Sequence, residues 1–230
     1  MRRLPWKTAA MLAVTFVGTS IASAATVPFV EDFSSDVANW KDAIDQPLLF
    51  QAAGGPDGSS YATTAFSFSG NAAGDNQTIF RGHDAFDSSG DAFVGNWIAD
   101  GVGTLRAMVR HDAPVPVSYF ARLAPSTNFP GAIAIQFAPV LPNVWTPLSF
   151  EISASSPQLF YFEGGDFASI FSQMGNIQFG ATVPDSLAGS TTSFTFDLDQ
   201  VAIARIPEPA AVGLGLVCLM GWALRRVRTR

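Results

Sequence analysis

The chain has 230 residues, of which 48% are hydrophobic, and a formal net charge of −6. Cys218 is its single cysteine, so the chain cannot contain a disulfide framework, and residues 1–217 have no thiol group. Seven of the 13 basic residues stand at the two chain ends, and only Glu208 of the 19 acidic residues lies there, so residues 25–205 carry six Lys and Arg against 18 Asp and Glu. A net charge near −12 repels nucleic acid, which is therefore not an expected partner.

The first predicted element is a secretory signal peptide over residues 1–24. A basic beginning precedes an apolar stretch over residues 9–21, and its basic residues are Arg2, Arg3 and Lys7. Ala22 and Ala24 are the small residues that signal peptidase recognises, so we expect cleavage before Ala25. The alternative is an N-terminal membrane anchor, for which the apolar stretch is short.

Residues 25–205 are predicted to form one all-β domain. Most stretches alternate apolar and polar residues with a period of two, between Gly, Pro, Asn, Asp and Ser. The residues of two triplets are each predicted to share one face of a strand. The first triplet is Leu105, Ala107 and Val109, and the second is Phe194, Phe196 and Leu198. Further short strands are predicted at residues 92–99, 115–124, 131–138, 145–153 and 175–181. Short strands with regularly spaced turns are typical of a two-sheet antiparallel β-sandwich.

Two stretches depart from the strand pattern. In "GDFASIFSQMG", Asp166 is a candidate N-cap and Gly175 a stop, and the apolar residues between them have helical spacing, at Phe167, Ile170, Phe171 and Met174. These signals predict one short helix. Residues 70–90 form the largest polar insert, which we expect to be a pair of long loops.

The domain as a whole resembles a known fold. It opens with "VEDFSSDVANW", continues through "AFVGNWIADGVGTLRAMVRHDAPVPVSYFARLA" and closes with "FTFDLDQVAIA". These stretches resemble the jelly-roll domains related to carbohydrate-binding modules and laminin-type ectodomains. The resemblance implies a jelly-roll sandwich, and a binding or structural rather than a catalytic domain.

The same resemblance implies a structural calcium ion that joins the first and last strands. The matching positions are Glu31 or Asp32 at the beginning and Asp199 at the end, with Asp57 or a loop carbonyl as an additional ligand. The alternative is that Asp197 and Asp199 are solvent-facing residues of a half-buried strand. A second acidic stretch, "HDAFDSSGD", lacks the spacing of an EF-hand loop, so we expect solvated turn residues there.

No catalytic motif is found in the sequence. The spacing patterns of zinc proteases, serine hydrolases and phosphate-binding loops are missing, and the two histidines, His83 and His111, are interpreted as surface residues. We therefore expect no enzymatic activity. Sugar binding would need exposed aromatic rings, and the candidates are Trp40, Trp97, Trp145, Tyr61, Tyr119 and Tyr161.

The C-terminal tail, residues 206–230, has three parts. Pro207, Glu208 and Pro209 break any helix and form a rigid extended element. Residues 210–224 are apolar and would span about 22 Å as a helix, short against a membrane core of about 30 Å. An arginine cluster follows, which predicts a cytoplasmic end, at Arg225, Arg226, Arg228 and Arg230. A buried core helix is the alternative, but it does not explain the terminal arginines.

In this order, the three parts resemble the PEP-CTERM sorting tail of Gram-negative bacteria. The resemblance implies a transient membrane span, cleavage by an exosortase, and release to or anchoring at the outer surface, often alongside exopolysaccharide production. We therefore expect an exported protein of the cell envelope or extracellular matrix that passes through the inner membrane. For residues 25–205 the alternatives are a carbohydrate-binding module for exopolysaccharide, favoured by a solvent-facing row of Trp or Tyr across one sheet, and a secreted hydrolase, which would need two converging acids.

Overall fold

Twelve strands and one helix make up residues 24–205, the part of the chain that the computed structural model describes. The predicted all-β sandwich with one short helix is confirmed. The helix, α1, spans Phe167–Phe171. The strands are β1 (Phe29–Glu31), β2 (Lys41–Asp42), β3 (Leu49–Gln51), β4 (Tyr61–Ser67), β5 (Asn76–His83), β6 (Val102–His111), β7 (Ser118–Pro125), β8 (Gly131–Ile135), β9 (Thr146–Glu151), β10 (Leu159–Glu163), β11 (Met174–Thr182) and β12 (Ser193–Arg205).

The strands form two sheets of six, and every pairing in them is antiparallel. Sheet A has the order β3-β4-β12-β6-β9, and β1 pairs with the second half of β12 beside β4. Sheet B has the order β10-β8-β7-β11-β5-β2. Neighbours such as β12 and β6 are far apart in sequence, so the sandwich is held together by long-range pairing.

The core lies between the two sheets and follows the predicted alternation. The inward triplets of β6 and β12 named above are buried there. Trp40, Trp97 and Tyr119 are also buried in it, with at most 1% of each residue exposed. Gly82 makes space for one of these rings, because a Cβ atom there would lie 2.7 Å from the Trp40 ring. Aromatic rings thus supply much of the apolar surface that a domain without disulfides needs.

The helix begins as predicted but is shorter. Asp166 caps it through a capping box, accepting from the backbone nitrogen of Ser169 while the Ser169 hydroxyl accepts from the Asp166 nitrogen. Met174 and Gly175, expected to be the last helical residue and the stop, instead begin β11, and the Met174 backbone pairs with Gly95. Sheet pairing therefore overrides the helical spacing at this end.

Two other predictions are wrong. Residues 70–90 are not a pair of loops, because they contain the eight-residue strand β5, which pairs with β11 on one side and β2 on the other. Residues 92–99 are not a strand. They form turns. The Trp97 ring nitrogen donates to the Phe93 carbonyl, and the Asp100 backbone nitrogen donates to the Asn96 carbonyl.

The two ends of the described segment lie close together. Phe29 on β1 pairs with Ile203 on β12, and the Ala25 backbone nitrogen donates to the Asp100 carboxylate at 2.8 Å. No helix within residues 24–205 is long and apolar enough to cross a membrane. The predicted signal peptide, apart from Ala24, and the tail over residues 206–230 lie outside the described residues, as do Ala22, Pro207, Glu208, Pro209 and the four C-terminal arginines.

Candidate functional site

A row of side chains crosses the outer face of sheet B from one edge to the other. Its members occupy matched positions on all six strands, and those on β5, β11, β7 and β8 point away from the core because their chain neighbours point into it. We call this surface the polar face, and its row consists of Lys41, Arg81, Gln178, Arg122, Ile133 and Tyr161. Three of the six basic residues in the domain are in this one row.

Asn128 lies over the middle of the row, in the loop between β7 and β8. Its side-chain oxygen accepts hydrogen bonds from Arg122 at 2.7 Å, from Asn176 at 2.6 Å and from Gln178 at 3.1 Å. Its backbone carbonyl accepts a further bond from Arg122 at 2.7 Å. Asn128 has a φ of 61°, a left-handed conformation that asparagine tolerates better than most residues. The loop is therefore held to the sheet through the side-chain oxygen and the backbone carbonyl of Asn128.

Arg122 and Glu163 form the strongest charge pair of the polar face. The Arg122 guanidinium donates to both oxygens of the Glu163 carboxylate, with a shortest distance of 2.6 Å. A bidentate pair of this kind fixes the orientation of both planar groups, the guanidinium and the carboxylate. Gly131 allows this approach, because a Cβ atom there would lie 2.5 Å from a Glu163 oxygen and 2.9 Å from Arg122. A side chain at this position would therefore displace the ion pair from its present geometry.

The polar face has an inner layer and an outer layer. Asn176 and Gln178 are buried, and Gln178 also accepts a hydrogen bond from the Thr78 hydroxyl at 2.9 Å. Asn128 itself is exposed, and its side-chain nitrogen makes no hydrogen bond to any residue between 24 and 205. The inner layer thus fixes the orientation of an amide that presents its two N–H donors to solvent.

Aromatic rings lie at one end of the polar face. Tyr161 is 55% exposed and Phe129 is 61% exposed. The Phe129 ring lies against the turn after β10, where a Cβ atom at Gly164 would come within 2.7 Å of it. Exposed rings beside polar donors suit ligands that have both C–H faces and hydroxyl groups.

Basic residues lie at the opposite end. Arg81 forms an ion pair with Asp45. The Lys41 ammonium lies 3.8 Å from the centre of the Phe86 ring, within cation–π range. The polar face therefore changes from aromatic at β10 to cationic at β2.

The sequence-derived aromatic candidates divide three ways. Trp40, Trp97 and Tyr119 belong to the core and are unavailable to a ligand, so these candidates are wrong. Tyr161 lies on the polar face, and Tyr61 and Trp145 meet on sheet A. Within residues 24–205, no solvent-facing row of Trp or Tyr crosses either sheet. Sequence reasoning missed Arg122 and Gln178, which strand pairing brings together, and Asn128, which the loop between β7 and β8 places over them.

Asp199 occupies a buried position on β12, so the solvent-facing alternative for it is wrong, as it is for the buried Asp197. The Ser59 hydroxyl donates to one Asp199 oxygen at 3.2 Å, and the Gln200 nitrogen donates to the other at 2.7 Å. Burial is the main cause that raises the pKa of the Asp199 carboxyl to about 6, and the charges of Asp57 and Asp32 contribute to this rise. The hydrogen bonds from Gln200 and Ser59 oppose it. A carboxylate in this position would therefore be stabilised by a cation.

Of the remaining candidate ligands, Asp57 and Asp32 are near enough for their charges to raise the pKa of Asp199. Glu31 pairs with Val201 on the adjacent strand, but its carboxylate accepts from the Phe33 nitrogen at 2.9 Å. Asp32 accepts from the Ser34 nitrogen at 3.0 Å. Between residues 24 and 205, no three acidic, histidine or cysteine side chains form a ready-made metal cluster. Carboxylate, hydroxyl and carbonyl oxygens are the donors that calcium prefers, so the residues fit this ion only with backbone or hydroxyl oxygens added.

The acidic stretch over residues 83–91 and the two histidines occupy positions with a structural role. Burial raises the pKa of Asp91, and the charges of Asp87 and Asp84 add to the effect. His83 caps the following turn by accepting from the Ala85 nitrogen. His111 is 1% exposed, so its interpretation as a surface residue is wrong.

No family model and no curated protein matches the chain. Solved structures do match. An exo-β-agarase aligns with 77% of this chain at 7% identity and a TM-score of 0.50, over 25% of its own length. The CBM22-1 and GH10 modules of Clostridium thermocellum endo-1,4-β-D-xylanase 10B, complexed with xylohexaose, align with 77% of this chain at 14% identity and a TM-score of 0.47, over 28% of their length.

A further match is a family 11 carbohydrate-binding module from Clostridium thermocellum in complex with a β-1,3-1,4-mixed-linked tetrasaccharide. It aligns with 80% of this chain and 99% of its own length, at 11% identity and a TM-score of 0.45. This chain spans only about a quarter of the length of the agarase and xylanase structures. At 7% identity, the likeness to the agarase shows a shared fold alone.

Proposed function

We propose that residues 25–205 form a non-catalytic domain that binds a neutral polysaccharide chain across the polar face of sheet B. The observation that carries the proposal is the fixed amide of Asn128. Three donors and a buried inner layer orient it, and the exposed rings of Phe129 and Tyr161 lie on the same face. Hydroxyl groups accept from such donors, while the C–H face of a sugar ring packs on aromatic rings.

Charge favours a neutral chain over an acidic one. The domain has a net charge near −12, which repels polyanions. On the polar face, Arg122 is paired with Glu163 and Arg81 with Asp45, so two of its three cations are already neutralised. The face therefore offers hydrogen-bond donors without a strong positive field.

The secreted hydrolase is the less favoured alternative. A glycosidase needs two carboxyl groups across the scissile bond, one of them free to donate a proton. Within the described residues, Glu163 and Asp45 are the acids bonded to the row, and each is held by an arginine. This arrangement supports binding rather than hydrolysis.

The binding proposal is tested by co-sedimentation of the full-length chain with xylan, mixed-linkage β-glucan and agarose. We expect retention on at least one of them, and a roughly tenfold weaker affinity for Tyr161→Ala and for Phe129→Ala, since each removes an exposed aromatic contact. Phe50→Ala, an exposed ring on sheet A, is the matched control and should bind as the wild type does.

The proposal is wrong if no polysaccharide retains the chain, or if Tyr161→Ala and Phe129→Ala bind as tightly as the control. In the first case a structural role at the cell surface takes precedence. Release of reducing sugars from any of the three would support the hydrolase instead.

We further propose that the chain is exported, cleaved by signal peptidase before Ala25, and sorted by an exosortase-type enzyme that reads Pro207, Glu208 and Pro209. The basic, apolar and small-residue signals of the first 24 residues and the three-part tail support this route. The mature domain would then reach the cell envelope or the extracellular polysaccharide. We also propose a structural calcium ion at Asp199, with Glu31, Asp32 and Asp57 as the nearby acids.

A further inference from the structure

A second polar cleft opens on the outer face of sheet A, on the opposite side of the sandwich from the polar face. Its volume is about 230 Å³. We call it the Arg110 cleft, and the residues of its lining that matter here are Tyr61, Arg110, Asp112, Asn143, Thr195 and Asp197. None of these residues belongs to the row on sheet B.

A buried carboxylate fixes the position of Arg110 in this cleft. The Arg110 Nε atom donates to one oxygen of Asp197 at 2.7 Å, and the Thr63 hydroxyl donates to the other at 2.6 Å. Asp197 is 4% exposed, so it is held by these partners rather than by water. A charge-assisted bond of this kind restricts the guanidinium to one plane.

Two aromatic rings hold the same guanidinium. Its carbon lies 5.1 Å from the centre of the Tyr61 ring and 4.6 Å from that of the Trp145 ring, both within cation–π range. Trp145 and Arg110 also donate to the same carbonyl, that of Gly54, at 3.0 and 3.3 Å. The guanidinium is therefore positioned before any ligand arrives.

Part of this hydrogen-bonding capacity is unused. Arginine has five N–H donors. Among residues 24–205, one donor of Arg110 is bonded to Asp197 and one to Gly54, and the Nη2 atom has no protein partner. The Arg110 side chain is 25% exposed, so solvent reaches it. The Asn143 side chain, also exposed, makes no hydrogen bond to the described residues.

The charges around the cleft point to a neutral, hydroxyl-bearing ligand. Arg110 and Asp197 neutralise each other as an ion pair, so the remaining charge is that of Asp112, which disfavours an anion. One Asp112 oxygen accepts from the Thr195 nitrogen at 2.7 Å, which leaves the other oxygen available to a ligand. A hydroxyl group both donates and accepts, so it can bond to Arg110 and to Asp112 at the same time. The volume lies below the range of about 300–1,000 Å³ typical of pockets for drug-sized ligands, which favours one small ring over a long chain.

We propose that the Arg110 cleft binds a single neutral sugar residue through Arg110, Asp112 and Asn143. This site does not depend on the polar face. If both sites bind, one domain holds a polysaccharide chain on the polar face and a single sugar residue of a second chain in the cleft, and so cross-links the two chains.

Saturation-transfer difference NMR tests the cleft, with the full-length chain and the methyl β-glycosides of glucose, galactose and xylose at millimolar concentration. We expect saturation transfer to at least one glycoside. Arg110→Lys keeps the charge but loses the planar fork, and should weaken binding roughly tenfold.

Asn143→Gly provides a second variant. Asn143 has a φ of 60°, which glycine adopts freely, so this change removes the side chain without straining the backbone. It should also weaken the signal several-fold. Phe160→Ala, at an exposed position on β10, is the control and should not change it.

The proposal is overturned if none of the three glycosides receives saturation, or if Arg110→Lys and Asn143→Gly both give the wild-type signal. In either case the stacked arginine serves only to hold the Gly54 loop to sheet A. Cross-linking is tested separately, by mixing the wild type with a soluble polysaccharide that the polar face retains and measuring viscosity. Loss of the viscosity increase in Arg110→Lys, with retention unchanged, is the expected result.

Discussion

Asp199 has a buried carboxyl group on β12. Buried, with Asp57 and Asp32 nearby, its carboxyl group is destabilised when charged. If calcium binds only to the folded state, a hundredfold excess over Kd would raise the free energy of unfolding by about 2.7 kcal/mol. For a domain of this size, this corresponds to a rise in Tm of roughly 5–10 °C.

Asp199→Asn should abolish the calcium-dependent rise in Tm, because the neutral amide no longer attracts the cation. Without calcium, this variant should be at least as stable as the wild type above pH 6, since the buried charge is gone. Differential scanning calorimetry in EDTA and in millimolar calcium measures both effects. Asp87→Asn, in the turn before residue 92, is the matched control. Equal wild-type Tm values in the two buffers would rule out the calcium site.

His111 should make stability depend on pH in the opposite direction. Burial lowers the pKa of its imidazole in the folded state. As the pH falls below the ordinary value of about 6.5, the unfolded chain takes up the proton first. The contribution of His111 to stability is therefore complete above pH 6.5 and is lost as the pH falls through the folded-state pKa.

Urea denaturation between pH 7.5 and pH 5 should therefore show a steeper loss of stability in the wild type than in His111→Gln. The comparison must be between these two proteins, because the raised pKa of Asp199 acts in the reverse sense over the same range and is common to both. Identical pH profiles would contradict the role given to His111.

Single residues also show which contacts and sheet faces the sequence does not predict. Arg122 and Glu163 are 41 residues apart, and nothing in either segment indicates that they form an ion pair. Tyr119 and Tyr161 have the same residue type and similar strand settings, yet one is in the core and the other on the surface. The sheet face on which a residue lies follows from strand register, which a single sequence does not determine.

At the scale of elements, β12 is the strand on which most of sheet A depends. It pairs with β1, β4 and β6, and its register with β6 shifts between Asp199 and Ala202. Gln200 lies in this shift with a φ of 49°. A left-handed residue in a bulge increases the local twist and orients its neighbours, here Asp199.

Gln200→Gly should be tolerated, whereas Gln200→Val should destabilise the domain by about 1–2 kcal/mol, because a β-branched residue fits poorly at positive φ. Guanidinium denaturation measures the difference. Ala202→Val, at a regular position of the same strand, should cost less. If Gln200→Val costs no more than this control, the bulge is not maintained by residue 200.

The elements that sequence reasoning found and missed differ in one physical respect. The faces of β6 and β12 were predictable because apolar and polar residues alternate along them. In β5 the outward residues and Gly82 made the stretch look like a loop, although Gly82 is there to receive the Trp40 ring. Residues 92–99 are apolar enough for a strand, but their backbone bonds mostly close local turns, and only Gly95 pairs with a strand, at Met174.

At the scale of the whole molecule, the tail determines the proposed route. Replacing Pro207, Glu208 and Pro209 with alanine should remove the motif that we propose the processing enzyme reads. The full-length chain should then accumulate in the membrane fraction. Cell fractionation with intact-mass analysis measures this, and Pro157→Ala, in an exposed turn of the domain, is the control. Normal release of the triple variant would exclude the sorting role of the tail.

The antiparallel pairing of β1 with β12 has a mechanical consequence. Because Phe29 lies opposite Ile203, the chain enters and leaves the domain at the same end. A force applied between residues 25 and 205 would load the three residue pairs of β1 one after another, as in unzipping, rather than all at once in shear. Glu31 and Asp199 lie at the far end of this seam. A cation held there would join β1 to β12 at the last pair to separate, and would raise the force needed to detach β1 from the sheet.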